Sequence, residues 1–307
     1  MRWRLKSAGF KLLSAMPGGR LLYGWVQERV TQSTLASRSR VEQKIGVGIG
    51  YWDWLKRNNR TARLLDGTLL DLGAGWHPTI PLLFHSLGAR RQILLDVQPL
   101  MSAGHTRDTL RLFREIAGDP GWPYRHELRR LPGPPADSGA ATAELIAPLG
   151  MEYIAPYQGR YDFPANSADL ALCTQAMQHI PKPVQLEIFR HLHRALKPGG
   201  LFLATVHLVG HFANPHATAG QYEHLKPSPR VWENLVNSSL MSFNRLKAPD
   251  YREQLLEAGF RLGEFEVRPP TAGDLADFSS VKPHRCFERY SAQDLAARHL
   301  FFVAEKP

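Results

Sequence analysis

The chain has 307 residues, 43% of them apolar and 21% charged, enough to bury a proper core and ordinary for a globular protein. No apolar run approaches a membrane span, and the short apolar patch within residues 1–19 is interrupted by Lys11, which argues against a signal peptide. The net charge of +10 is placed unevenly: residues 1–66 hold thirteen Lys or Arg against four acids, nine of the ten charges. A basic extension of that kind suits an anionic contact, such as a membrane surface, a phosphorylated substrate or nucleic acid. The two cysteines, Cys173 and Cys286, are far apart and lack metal-ligand spacing, which points to a reducing cytoplasm.

From residue 1 to 66 the pattern predicts helices. Leu21, Leu22, Trp25, Val26 and Val30 recur at helical spacing. Gly46 to Gly50 reads as a break, with Tyr51-Trp52-Asp53-Trp54-Leu55 opening a second, aromatic helix. From Thr68 onwards strands and helices alternate, which means a mostly parallel sheet with helices on both faces. The expected strands are 68–72, 92–96, 152–156, 169–173, 201–206, 261–268 and 300–305. A long connection, 99–150, carries a helix around 109–116 and Pro/Gly-rich stretches, and reads as a mobile loop; another spans 207–250. The division is therefore a basic helical extension, 1–66, and an α/β domain, 67–307.

The first strand runs into Asp71-Leu72-Gly73-Ala74-Gly75, and the second ends in Asp96. Glycines let a backbone approach a ligand closely, and a carboxylate at the tip of the next strand takes two ribose hydroxyls. The third glycine of a dinucleotide fingerprint is missing and Asp71 precedes the turn. Both details favour S-adenosylmethionine, which has no pyrophosphate to seat on a helix N-terminus. Two further segments follow in order: Ser167 to Cys173, leading to Gln178-His179-Ile180-Pro181, and Leu196-Lys197-Pro198-Gly199-Gly200-Leu201.

At these spacings the four segments resemble the class I S-adenosylmethionine-dependent methyltransferases, over about 66–307. The resemblance implies a Rossmann-like, seven-stranded, mostly parallel sheet whose last strand runs antiparallel. It also implies cofactor contacts: Asp71, Gly73, Ala74 and Gly75 at the methionine end, Asp96 at the ribose, and Thr174 and Gln175 beside the sulfonium. Many members hold the adenine amino group with an acid after the third strand; the nearest match here is Gln158. The runs Leu149 to Pro156, Asn237 to Phe260 and Asp294 to Leu300 look like a bacterial group often found in cell-envelope sugar pathways. That group commonly carries Asp-His-Tyr after the fifth strand. Here the place reads Gly210-His211-Phe212, so the histidine is kept and its acidic neighbour is lost.

Methyl transfer to a hydroxyl needs alignment and a base, and histidine suits the base at neutral pH. The candidates are His211, His179 and His207, with His179 alternatively a ring packed under the cofactor. Asn244 and Arg245 suit an anionic or sugar substrate, or a loop brace. The histidine spacings match no ligand motif, so no metal is expected. The expected product is S-adenosylhomocysteine and the expected acceptor a small molecule or glycan, with residues 1–66 capping the site or touching a membrane peripherally. Methylation of RNA is the competing activity, but the chain lacks an Asp/Asn-Pro-Pro-Tyr signature and an RNA-binding module. A methyltransferase-like binding protein without activity is the other alternative, against which the intact glycine turn argues.

Overall fold

The computed structural model describes Met16 and residues 35–134, 139–157, 163–210, 220–238 and 242–307. The expected helix built on Leu21, Trp25 and Val30 lies outside these residues.

Helix α1 (Arg38–Arg57) is capped by the Ser37 side chain, which accepts from the Arg40 amide, and ends on Lys56 and Arg57, the charge sign that suits a helix C-terminus. It runs unbroken through Gly46, Gly48 and Gly50, where the sequence suggested a break. Packing explains the difference. Val41, Ile45, Ile49, Trp52 and Leu55 bury one face, and a side chain at Gly48 would stand 2.7 Å from Leu83 in the facing helix. Glycine thus serves close contact there, not a bend, since any side chain would displace the end of Leu83. Helix α2 (Thr61–Leu65) leads into β1 (Thr68–Leu72), followed by α3 (Thr79–Leu87), β2 (Arg91–Leu95), α4 (Ala103–Gly118), α5 (Thr142–Ile146) and β3 (Met151–Ile154). Then come β4 (Ala168–Thr174), α6 (Lys182–Ala195), β5 (Leu196–His207), α7 (Ala248–Glu257), β6 (Arg261–Val267), α8 (Ala272–Ser279), α9 (Ala292–Ala296) and β7 (His299–Glu305).

The seven strands form one sheet in the order β3-β2-β1-β4-β5-β7-β6, with β7 antiparallel to the other six. Leu70 stands opposite Ile93 of β2 and Ala171 of β4, so the tips of β1, β2 and β4 fall side by side. Strand β5 begins at Leu196, not at Leu201. The reason is pairing: the Gly199 amide donates to Lys306 O and the Lys306 amide to Gly200 O, extending the ladder through the glycines. At the opposite end of β1 from the glycine turn, Asp169 accepts from the Thr68 amide (3.0 Å) and from Lys197 Nζ (2.7 Å), fastening β4 to β1 and to the start of β5.

The chain forms two compact units. One comprises residues 34–174, 191–203 and 304–307. In it the long connection 99–150 makes contacts to the elements around it: Glu127 accepts from Trp52 Nε1 and Lys56 Nζ, and Arg130 donates to Ala89 O at 2.7 Å. The second unit holds residues 175–190 and 204–303 among those described. Its internal staple is Lys247, fully buried, whose ammonium donates to Leu208 O (2.7 Å) and Leu295 O (3.2 Å).

The two nearby glycines of α1 separate propensity from packing. Nothing lies within 4 Å of a side chain built at Gly46. Gly46→Ala should therefore raise stability by up to about 1 kcal/mol through helix propensity. Gly48→Leu should lower it by about 1–3 kcal/mol through overpacking against Leu83. Denaturant melts of the two variants check both signs.

Candidate active site

In the first unit, β1 ends in a turn in which Gly73 and Gly75 take φ of 80° and 68°, a region costly for any residue with a Cβ. The Gly73 and Ala74 amides donate to Leu95 O at 2.8 and 3.1 Å, and the Gly75 amide donates to Asp96 Oδ2 at 2.8 Å. Asp96 Oδ1 accepts from the Gln98 amide at 3.0 Å. The acid is thereby aimed and fixed, and its two oxygens keep lone pairs for the hydroxyls of a ribose. Burial raises its pKa, while the amides of Gln98, Gly75 and Val97 work in the other direction. A side chain built on Gly75 would meet nothing nearer than Gly73 O at 3.9 Å, so the space over the turn is open. An open glycine cradle beside an anchored carboxylate fits a nucleoside cofactor.

Asp71 is buried in β1, and desolvation pushes its carboxyl up to about 7. Lys44 of α1 counters that shift, and the neighbouring Asp96 adds to it. Burial in turn lowers the Lys44 pKa, with Asp71 and Cys173 acting against the shift. One helical stretch further on, the Tyr51 hydroxyl lies 3.3 Å from Cys173 O and 3.2 Å from Thr174 Oγ1, at the end of β4. Lys44 and Tyr51 are functional candidates that the motif pattern missed. The available signal was a lysine at i and a tyrosine at i+7 along an otherwise apolar helix face. Trp52 and Trp54 are core residues, whereas Trp76 is half-buried and meets the His105 ring edge-on at 5.3 Å.

The second unit begins directly after Thr174. Gln175 adopts φ 55°, an uncommon backbone for a residue with a side chain, and its amide donates to Thr205 O at 2.8 Å. A short turn, Met177–His179, follows. His179 Nδ1 lies 2.6 Å from Ser242 O, so the ring donates there and Nε2 is the acceptor nitrogen of the neutral form. Desolvation lowers the His179 pKa and the Ser242 bond works against that shift, although the residue as a whole is exposed. Asn244 braces this turn: its amide nitrogen donates to Met177 O (2.9 Å) and Ile180 O (2.8 Å), and its Oδ1 accepts from the Leu246 amide. Arg245 is buried, donates to Pro227 O at 2.7 Å, and lies over Trp232 at 4.7 Å and Phe287 at 5.2 Å. Both residues spend their polar groups inside the protein, the loop-bracing alternative of the sequence reading. His207, half-buried at the end of β5, packs its ring 4.6 Å from that of His299. Gln158 and His211 lie outside the described residues.

A family profile described as "Methyltransferase domain" matches residues 51–264. No curated protein matches the chain. Among solved structures, the chain is similar to an S-adenosylmethionine-dependent methyltransferase from Mesorhizobium loti, at 17% identity and TM-score 0.42 over 79% of this chain and 92% of that one. A counterpart from Listeria monocytogenes is 16% identical, with TM-score 0.42, over 84% and 99%. A phosphoethanolamine N-methyltransferase from Haemonchus contortus, solved with S-adenosylhomocysteine, is 19% identical, with TM-score 0.41, over 78% and 49%. The chain belongs to the methyltransferase-domain family. It is a methyltransferase.

Asp71 and Lys44 make a pH-dependent pair whose sign can be worked out. The folded Asp71 pKa of about 7 lies above its ordinary value of 3.8, so the folded state binds more protons between these limits and stability falls as pH rises through them. Lys44→Met removes the countering cation and should extend that loss above pH 7. Denaturation midpoints at about pH 5 and about pH 8 should differ more in Lys44→Met than in the parent, and least in Asp71→Asn.

Proposed function

We propose that the chain transfers a methyl group to a hydroxyl of a small molecule or glycan, with His179 as the general base. The observation that carries this reading is the His179 Nδ1 to Ser242 O bond of 2.6 Å, which sets the tautomer whose Nε2 accepts a proton. A lowered pKa keeps the ring neutral at pH 7, the form that a base needs.

The bound cofactor supplies an electrophilic methyl on a positively charged sulfur. The chain's own residues then have three tasks. Asp96 takes the ribose hydroxyls. Asp71 and Lys44 would hold the ammonium and the carboxylate of the methionine end, respectively. Thr174 and Gln175 would lie on the sulfonium side, the first kept in place by the Tyr51 hydroxyl. With the cofactor in place its methyl sulfonium would supply the electrophile, and the task of His179 Nε2 would be to take the proton of an acceptor hydroxyl held in line with it. Alignment supplies most of the acceleration, on the order of 7–11 kcal/mol in favourable systems.

Residues 35–66 serve as the cap of the cofactor side. The packing of residues 35–66 with β1 to β4 in one unit supports this, and Lys44 is the cap's contribution to the site. The cations of residues 1–66 other than the half-buried Lys44 also suit that segment to the anionic inner face of a membrane, where a cell-envelope glycan acceptor would be carried. Among the described residues no helix is long and apolar enough to cross a membrane. Both cysteines are free, as in a cytoplasmic protein.

His179→Ala should reduce kcat by roughly 10²–10⁴-fold and leave S-adenosylhomocysteine affinity in place. The parent rate should fall as pH drops through the His179 pKa, below the ordinary imidazole range. A fully active His179→Ala alongside an impaired His211→Ala would move the base to His211. Asp96→Ala should weaken S-adenosylhomocysteine binding by about 1.5–3 kcal/mol, as measured by calorimetry. Transfer of labelled methyl into lipid/glycan, metabolite and nucleic-acid fractions identifies the acceptor class; label in RNA would overturn the present assignment.

A further inference from the structure

Asp96 does not hold itself. Its Oδ1 accepts from the Gln98 amide, and Gln98 opens a tight loop, 97–101, in which the Leu100 amide returns to Gln98 O at 2.8 Å. One side-chain atom from another strand reaches this loop. The Tyr153 hydroxyl, on β3, donates to Gln98 O at 3.1 Å and accepts from the amides of Leu100 and Met101 at 3.1 and 3.3 Å. A phenol has one proton and two lone pairs, so these three bonds use its full capacity.

The loop feeds α4, whose N-cap Ser102 accepts from the His105 amide at 3.2 Å. Helix α4 is tied back to the residues after the glycine turn. His77 Nδ1 meets Thr109 Oγ1 at 2.9 Å, and the His105 ring lies edge-on to those of Trp76 and His77, both at 5.3 Å. The turn that aims Asp96, the loop behind it and the first turns of α4 therefore make a closed frame, and the Tyr153 hydroxyl joins that frame to β3.

We propose that Tyr153 is a positioning residue that fixes loop 97–101 behind Asp96 and thereby sets how tightly the nucleoside half of the cofactor is held. It acts through the loop backbone, not by touching the cofactor. The inference rests on Asp96 as the ribose-binding acid. It goes further by assigning cofactor retention to a tyrosine one strand away. Without the hydroxyl, the Met101 amide loses this partner, the Leu100 amide and Gln98 O keep only each other, and Gln98 loses the external tie that orients it towards Asp96.

The test is Tyr153→Phe, which keeps the ring and removes only the oxygen. S-adenosylhomocysteine should bind the variant about tenfold more weakly by calorimetry, and adenosine alone should lose affinity to a similar degree. The KM for S-adenosylmethionine should rise by more than kcat falls. A purely structural role would instead lower kcat and the melting temperature together while leaving the adenosine affinity of the folded fraction as in the parent, and would overturn the proposal. In the parent protein, the Leu100 and Met101 amides should exchange slowly with solvent and more slowly still with S-adenosylhomocysteine bound. Fast exchange that the ligand leaves unchanged would overturn it without any variant. A parent protein that binds no S-adenosylhomocysteine would remove the cofactor site itself. A parent that binds, with a variant binding equally well, would remove Tyr153 alone.

Discussion

A carboxylate buried at the end of a parallel strand is costly, because it loses its hydration in a place where backbone amides are already engaged in the ladder. Asp71 is in that position, and its carboxyl is pushed up to about 7. The countering charge comes from Lys44, on a helix that precedes the sheet in sequence. The helix has to lie against the strand tips for that charge to act, and its other features follow from this need. Gly48 lets it approach α3, the Val41–Ile45–Ile49–Trp52 face gives it apolar area to bury, and the Tyr51 hydroxyl reaches the end of β4. A basic segment that looks like an appendage in composition thus supplies part of the site's electrostatics. Lys44 also precedes residues 51–264, the span of the family profile.

The second unit uses its polar residues differently. Asn244 holds the turn bearing His179, Arg245 is clamped between aromatic rings and carbonyls, and Lys247 joins the segment after β5 to Leu295. Burial pushes the Lys247 ammonium down to about 7, the mirror image of Asp71. Each of these groups is already committed to backbone carbonyls, which is how long irregular connections are kept ordered when they lack a ladder of their own. The His179 ring is fixed in the same way, by Ser242 O at its Nδ1.

Most of the sheet was legible in the sequence. Alternation of apolar strands with glycine and proline breaks located all seven strands, and the glycine turn and Asp96 stand at the ends of the first two as expected. Two errors have physical causes. The glycines of α1 resemble a break because propensity counts their backbone freedom, whereas the fold uses the missing side chain of Gly48 as space. The start of β5 is hidden by Pro198-Gly199-Gly200, which reads as a stop until the partner strand at Lys306 is in place.

The sequence by itself determined which backbone could turn and where two carboxylates would stand beside the turn, because Gly73, Gly75, Asp71 and Asp96 act through local geometry within or just after their strands. The tertiary structure alone decided the partners of those charges. Lys44 reaches Asp71 from a separate helix, Tyr153 reaches loop 97–101 from a neighbouring strand, and Ser242 fixes the His179 tautomer across 63 positions of chain. Such pairings depend on which elements pack together, and no periodicity along one segment encodes the atom that a distant segment will present.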